Sequence, residues 1–337
     1  MSTSPPQRRR RPRGRRILLG ALVLLMLGIG MIGGAGWWAV SHFTGNVQRI
    51  PDAFPTNVPP AAQPAEGKGG ENFLFVGLDT RTDLPTTGSK ATGPIWKPGA
   101  QRSDTMMLVH LPEDRSGAYF VSLPRDSWVK IPGYGQAKLN AAFSWGGPPL
   151  LIDTVQRLTK VKIDHLAMLD WNGFKELTDA VGGVDIPVAE GGARHMSGQE
   201  ALDYVRERKN LPRGDLDRTL RQQNYLRSVL SKVLASASLT DPFKTKDLLD
   251  KITQSVSVDD HLSDSDLREL AWDMKSVGIG DLTFMNAPIT GTGMVQGQSV
   301  VRLDVKAGAA LWSAVRDDTM SEYVRTHTID SLGDRTR

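Results

Sequence analysis

The chain has 337 residues, 39% hydrophobic and 23% charged, enough to bury one large core or two modest ones. Its formal net charge is +4, but seven arginines fall within residues 1–16, leaving 34 basic against 37 acidic side chains elsewhere. The basic balance belongs to a tail and gives no ground for a nucleic-acid partner. With no cysteine in the chain, disulfides, thiolate metal sites and a cysteine nucleophile are excluded.

Residues 1–16 are therefore expected to be an Arg-rich cytoplasmic tail. Ile17 to Val40 is an uncharged stretch of 24 residues ending in Trp37 and Trp38. As a helix it would measure roughly 36 Å, enough to cross a ~30 Å hydrocarbon core with some tilt. The charge asymmetry around it predicts a single-pass anchor in the cell membrane, with the remainder of the chain outside the cell. A cleaved signal peptide would have a shorter apolar region, which favours a retained anchor. Residues 41–70 are rich in proline and then glycine, and read as a tether that would reach on the order of 80 Å if fully extended. Part of 46–54 could instead pack on the domain that follows, over residues 71–330.

In that domain, Phe73–Leu78 is a short apolar run expected to form a central strand. Thr105–Leu111 and Ala118–Leu123 read as two strands of a hairpin around a polar loop. Its symmetry pairs residues whose numbers sum to about 229, setting Asp104 opposite Arg125. Helical spacing follows over Pro149–Thr159, and a strand over His165–Leu169. Asn172 is positioned to cap a short helix that stops at Gly182-Gly183. Ser197-Gly198-Gln199-Glu200 has the form of a capping box, and a long helix is expected over about Asp217–Ala235. The tail predicts a helix, a strand over Leu282–Ala287, a loop, and a closing helix from about Val305. Alternation of this kind defines a mixed α/β class with helices on both faces of a sheet.

Charged residues gather at the ends of these elements. Asp79 and Arg81 follow the first strand, Arg102 and Asp104 precede the second, and Arg125-Asp126 follows the third. Arg206 and Arg208 would share a face if the backbone is extended there, and Arg218, Arg221 and Gln222 share a helical face. Massed guanidinium groups suit phosphate, and two aspartates beside them suit Mg²⁺ held jointly with a diphosphate. The alternative is a set of surface salt bridges on amphipathic helices. His110 and His195 have no second histidine at ligand spacing, and Ser103 has no histidine placed to activate it. Phe143, Trp145, Leu151 and Val155 could line an apolar pocket or simply belong to the core. Residues 80–101 could be a lid or a plain loop.

The segments G77-L-D-T-R81, R102-S-D-T-M-M107, S122-L-P-R-D-S127, K138-L-N-A-A142, V181-G-G-V-D185 and L202-D-Y-V-R-E-R208 with D215-x-x-R-x-x-x-Q-Q223 occur in order. Together they resemble the LytR-CpsA-Psr family of cell-envelope phosphotransferases. The resemblance covers about Asn72 to Gln223. It implies a three-layer α-β-α fold with an apolar pocket for a polyprenyl chain. It also implies transfer of a glycopolymer phosphate from a polyprenyl-pyrophosphate carrier to a peptidoglycan hydroxyl. By position, Asp79 and Asp104 match the family's ligands for Mg²⁺, with Mn²⁺ a substitute. Arg102, Arg125, Arg206, Arg208, Arg218 and Gln222 match its diphosphate-contacting residues, and Lys138 is a further candidate. Arg102, Asp104 and Arg125 would form the catalytic centre. The other readings are hydrolysis of the same lipid-linked diphosphate and a non-catalytic polyprenyl-phosphate-binding regulator.

Overall fold

The computed structural model describes residues 47–56, 58, 67–80, 84–188, 192–207, 215–236, 250–273 and 277–331. The expected anchor at 17–40 and the tail before it lie outside the described residues. Among the described residues, no helix is long and apolar enough to cross a membrane.

A seven-stranded mixed sheet runs in the order β1 (Gln48–Ile50), β10 (Ser257–Asp259), β7 (His165–Asp170), β2 (Glu71–Thr80), β3 (Gln101–Leu111), β4 (Ala118–Ser122) and β11 (Leu282–Asn286). A separate small hairpin pairs β8 (Val184–Pro187) with β9 (Ala193–Met196). The centre of the large sheet is β2, paired antiparallel with β3 and parallel with β7. Beyond β3 lie β4 and then β11, which is parallel to β4. Beyond β7 lie β10 and β1, the latter parallel to β10. Residues 48–50, within the part of 46–54 that the sequence allowed to pack on the domain, are thus a strand of it and not part of the tether. Arg49 anchors that strand through the Leu262 carbonyl and the Asp264 carboxylate.

The period-2 pattern of β2 and β3 explains the three layers. Leu74, Val76 and Leu78, with Met106 and Leu108, face one side. There they pack on α1 (Leu139–Thr159), α6 (Val305–Arg316) and α7 (Met320–Thr326). Phe75 on the other side packs with the core of α2 (Trp171–Ala180), α3 (Gly198–Arg206) and α4 (Asp215–Ser236). Met107 and Val109 share that face with Phe120 and Phe284, while α5 (Asp264–Asp273) supplies Leu270 at its margin. Phe143, Leu151 and Val155 are fully buried in the first layer, so they are core residues.

Several local expectations hold. The β3–β4 ladder pairs Met107 with Ser122 and His110 with Tyr119, the register deduced from loop symmetry. Ser197 and Glu200 form the capping box of α3. Others are corrected. The cap of α2 is Asp170, whose carboxylate accepts from the Gly173 amide at 2.8 Å, not Asn172. The expected loop before α6 contains a hairpin of β12 (Ile289–Val295) and β13 (Gln298–Leu303). It stands on the segment after β4, where the Val301 amide donates to the Asp126 carbonyl at 2.9 Å. Helix α1 begins ten residues before its expected start, with a break at Gly146 and Gly147 ahead of Pro148-Pro149. Gly147 has φ 64°, and a side chain there would strike the Trp96 ring that packs over it.

Candidate functional site

The site is built where β2 and β3 run past their neighbours. Asp79, Arg102 and Asp104 lie within these strands, not beyond them as their sequence positions suggested. Pairing of the two strands shifts by one residue there: Gly77 faces Thr105, but Leu78 faces Ser103. Asp104 is therefore the extra residue of a β-bulge, a device that re-aims a side chain at a sheet margin. The same shift sets Arg102 directly opposite Asp79.

Asp104 is buried, and its Oδ1 accepts from Arg125 Nη1 at 2.6 Å. Asp79 Oδ1 accepts from Trp171 Nε1 at 2.9 Å. Arg125 continues toward Asp126, its Nε 3.7 Å from Oδ2, while Lys138 Nζ lies 3.0 Å from Asp126 Oδ1. The backbone of this segment is held by α1, whose Asn140 amide donates to the Arg125 carbonyl at 3.1 Å. The result is a chain of alternating charge running from Asp104 through Arg125 and Asp126 to Lys138.

Three adjoining compartments meet at these residues. A cavity of about 290 Å³ is lined by Asp79, Asp104, Trp171, Val205, Arg206, Arg218 and Gln222. A more open basin of about 580 Å³ shares Asp79 and Asp104 and adds Arg102, Arg125, Asp126 and Lys138. An apolar slot of about 80 Å³ shares Trp171, Val205 and Gln222 with the first cavity. It runs between the sheet and α2–α4, past Phe75, Met107, Phe174, Leu177, Tyr225 and Leu226. Of Phe143, Trp145, Leu151 and Val155, Trp145 alone borders one of these three compartments, and it borders the basin.

Helices deliver the remaining cations. Arg206 is the last residue of α3, so its backbone is helical and not extended, and its guanidinium lies 5.4 Å from the Trp171 ring. Arg208 lies outside the described residues. Arg218 and Gln222, one turn apart on α4, both line the central cavity; Arg218 is 4% exposed. Arg221 departs from that face: its guanidinium lies over the Tyr204 ring, with Nη1 3.4 Å from the Tyr204 carbonyl. Gln223 fixes the helix, its Nε2 donating to Ser122 Oγ at 2.8 Å and to the Met285 carbonyl at 3.0 Å.

Trp171 was not singled out in sequence, though its place directly after a strand that ends at the ligand edge was a usable signal. Asp170 beside it organises the neighbouring loop. Its Oδ2 accepts from the amides of Thr86 at 2.6 Å and Thr87 at 3.2 Å. The Gly88 amide donates to Ser257 Oγ at 2.9 Å. The loop is thus tied to the sheet at one end and covers Gly147 with Trp96 at the other. Ser103 is wholly buried beneath the site. His110 bonds Asn72 and Asp318, and exposed His195 bonds Asp185. Among the described residues, no cluster of three or more His, Asp or Glu side chains is placed to hold a metal ion.

The sequence model of the LytR_cpsA_psr family matches residues 44–317, and the chain belongs to that family. It is 34% identical over 282 residues to the cell wall biosynthesis protein LcpA of Corynebacterium glutamicum, covering 70% of this chain and 54% of that protein. Over 150 residues it is 35% identical to TagU of Bacillus cereus, a polyisoprenyl-teichoic acid–peptidoglycan teichoic acid transferase, covering 41% of this chain and 50% of TagU. The chain spans about half the length of these two curated relatives. Among solved structures, B. subtilis TagV superposes with a TM-score of 0.59 at 22% identity, over 75% of this chain and 98% of that one. TagT bound to LIIa-WTA gives 0.58 at 21% identity, over 80% and 96%. These two structures share the fold.

Proposed function

We propose that the protein transfers a glycopolymer phosphate from a polyprenyl-pyrophosphate carrier to a hydroxyl of peptidoglycan, outside a membrane to which residues 17–40 anchor it. The observation that carries this reading is the order of the compartments. An apolar slot opens into a cavity with two carboxylates and two arginines, which opens into a larger polar basin. A molecule with a hydrocarbon tail, a diphosphate and a sugar has its three chemistries in that order. The name of TagU, a teichoic acid transferase to peptidoglycan, supports the same class of reaction, and that of LcpA supports a role in cell wall biosynthesis.

Asp79 and Asp104 line one cavity and are hard oxygen donors, which fits Mg²⁺ or Mn²⁺. With only two carboxylates, further ligands would come from the diphosphate and water. Such a metal supplies neutralisation of the diphosphate charge. Arg206 and Arg218 would bind the phosphate oxygens, and Gln222 would donate at the mouth of the slot. Arg125 holds Asp104 in place, while Arg102 and Lys138 face the basin and would meet the sugar-side phosphate. An acceptor hydroxyl entering through the basin attacks the sugar-side phosphorus in line. One P–O bond forms, the bond to the bridging oxygen breaks, polyprenyl monophosphate leaves and the hydroxyl proton is lost. Incubating the protein with polyprenyl-pyrophosphate sugar, Mg²⁺ and glycan oligomers, then weighing the products, tests this. A phosphodiester-linked product with polyprenyl monophosphate is expected. Free sugar phosphate alone would establish a hydrolase, and unchanged bound lipid a non-catalytic binder.

A further inference from the structure

The basin has a second, uncharged wall that the reaction chemistry does not require. Trp128 and Trp145 both line it, with Asn140, Gln296 and Gln298, three residues that carry carboxamides. Trp145 is 41% exposed, and Tyr134, 57% exposed, stacks on its indole with ring centroids 5.0 Å apart. Large aromatic side chains left in water form an expected ligand surface when polar groups converge beside them. Each element is fixed. Tyr134 sits in the turn between β5 (Trp128–Ile131) and β6 (Gly135–Lys138). Trp145 lies on α1 just before its break, and the two glutamines flank the tight turn of β12–β13 at Gly297. A parallel bridge from Ser127 to Val301 ties that hairpin to the start of β5.

From this we infer that the wall is a binding subsite for the lipid-free acceptor glycan, with Trp145 as its platform and Tyr134 as the prop behind it. A pyranose ring has an apolar C–H face, which stacks on an indole. Its hydroxyl and acetamido rim needs groups that both donate and accept, as carboxamides do. The donor's first sugar must lie beside the diphosphate, at the charged end of the basin. An exposed shelf instead suits a long polymer that cannot enter a closed cavity. This assignment rests on the transferase reading only for calling the glycan an acceptor.

The test is titration of the full-length protein in detergent with a lipid-free β-1,4-linked N-acetylhexosamine tetrasaccharide, followed calorimetrically. Wild type binds, Trp145→Ala weakens binding at least about tenfold, and Trp145→Phe recovers most of it. Tyr134→Ala gives a smaller loss, because it removes a support and not the platform. Affinity for the polyprenyl-linked donor stays within about twofold in all three variants. Equal weakening of the donor, or tetrasaccharide binding indifferent to Trp145, overturns the assignment; so does absence of tetrasaccharide binding to wild type at millimolar concentration. Shelf-dependent tetrasaccharide binding in a protein that transfers nothing would support the subsite while sinking the transferase reading.

Discussion

The guanidinium of Arg125 donates to the carboxylate of Asp104 across 2.6 Å, three residues beyond the last paired position of the β3–β4 ladder. The contact brings together a bulged residue of one strand and a residue just past the end of the next. It makes the geometry of Asp104 depend on both.

Asp104→Asn keeps the size of the side chain and removes its charge. Transfer is expected to fall by roughly 10²-fold or more, with metal and lipid affinity falling together. Near-normal transfer by this variant in the presence of chelator would refute the two-aspartate metal site.

Arg218 is almost wholly buried, so truncating it would confound activity with stability. Arg218→Lys keeps the charge and loses the planar fork. About a 10- to 100-fold loss of kcat/KM is expected, the scale of ~1.5–3 kcal/mol for charged hydrogen bonds. A changed melting temperature with unchanged kcat/KM would assign the residue to structure alone.

Leu226 lines the apolar slot and is partly buried. Leu226→Trp should block the slot and raise KM for a full-length polyprenyl donor at least about tenfold. A donor with a two-isoprene tail should be affected much less. Equal loss for both donors would place the lipid elsewhere.

Burial holds the His110 imidazole below its ordinary 6.5, although its bond to Asp318 works in the opposite direction. The native state thus binds fewer protons here than the unfolded one. Stability from this group is present above pH 6.5 and is lost as pH falls toward the native value. Urea melts between pH 5 and 8 should show wild type losing stability toward acid relative to His110→Gln. The opposite slope would mean that His110 is charged in the fold.

On the proposed topology, protease added outside intact cells should digest the chain after Val40. A short protected N-terminal piece should remain. Protection of the whole domain until lysis would reverse the orientation.

Local chemistry made much of this legible in sequence. The hairpin register follows from the symmetry of one loop, and the capping box from four adjacent residues. The bulge at Asp104 was not legible, because it exists only in the pairing of β3 with β2. Trp171 and the apolar slot were hidden for a related reason: they arise where three helices lie over one sheet face, from residues as far apart as Phe75 and Val256. The Arg206 and Arg221 expectations treated spacing alone as direction, whereas the end of α3 and the Tyr204 ring decide where these side chains go. The β12–β13 hairpin turns at Gln296-Gly297, a weaker signal than Asn-Gly, and so read as a loop.

The parallel strand β1 has a consequence for where this protein can work. It begins at Gln48, and Val47 before it is already buried, so residues 41–46 alone separate the proposed anchor from the folded body. Those six residues span at most about 22 Å. The Pro-rich segment that follows lies between two parts of the body and adds nothing to that distance. The domain would then be moored against the outer leaflet, close enough to take up a carrier whose tail has not left the bilayer. The growing polymer, not the protein, would have to cover the gap to the wall.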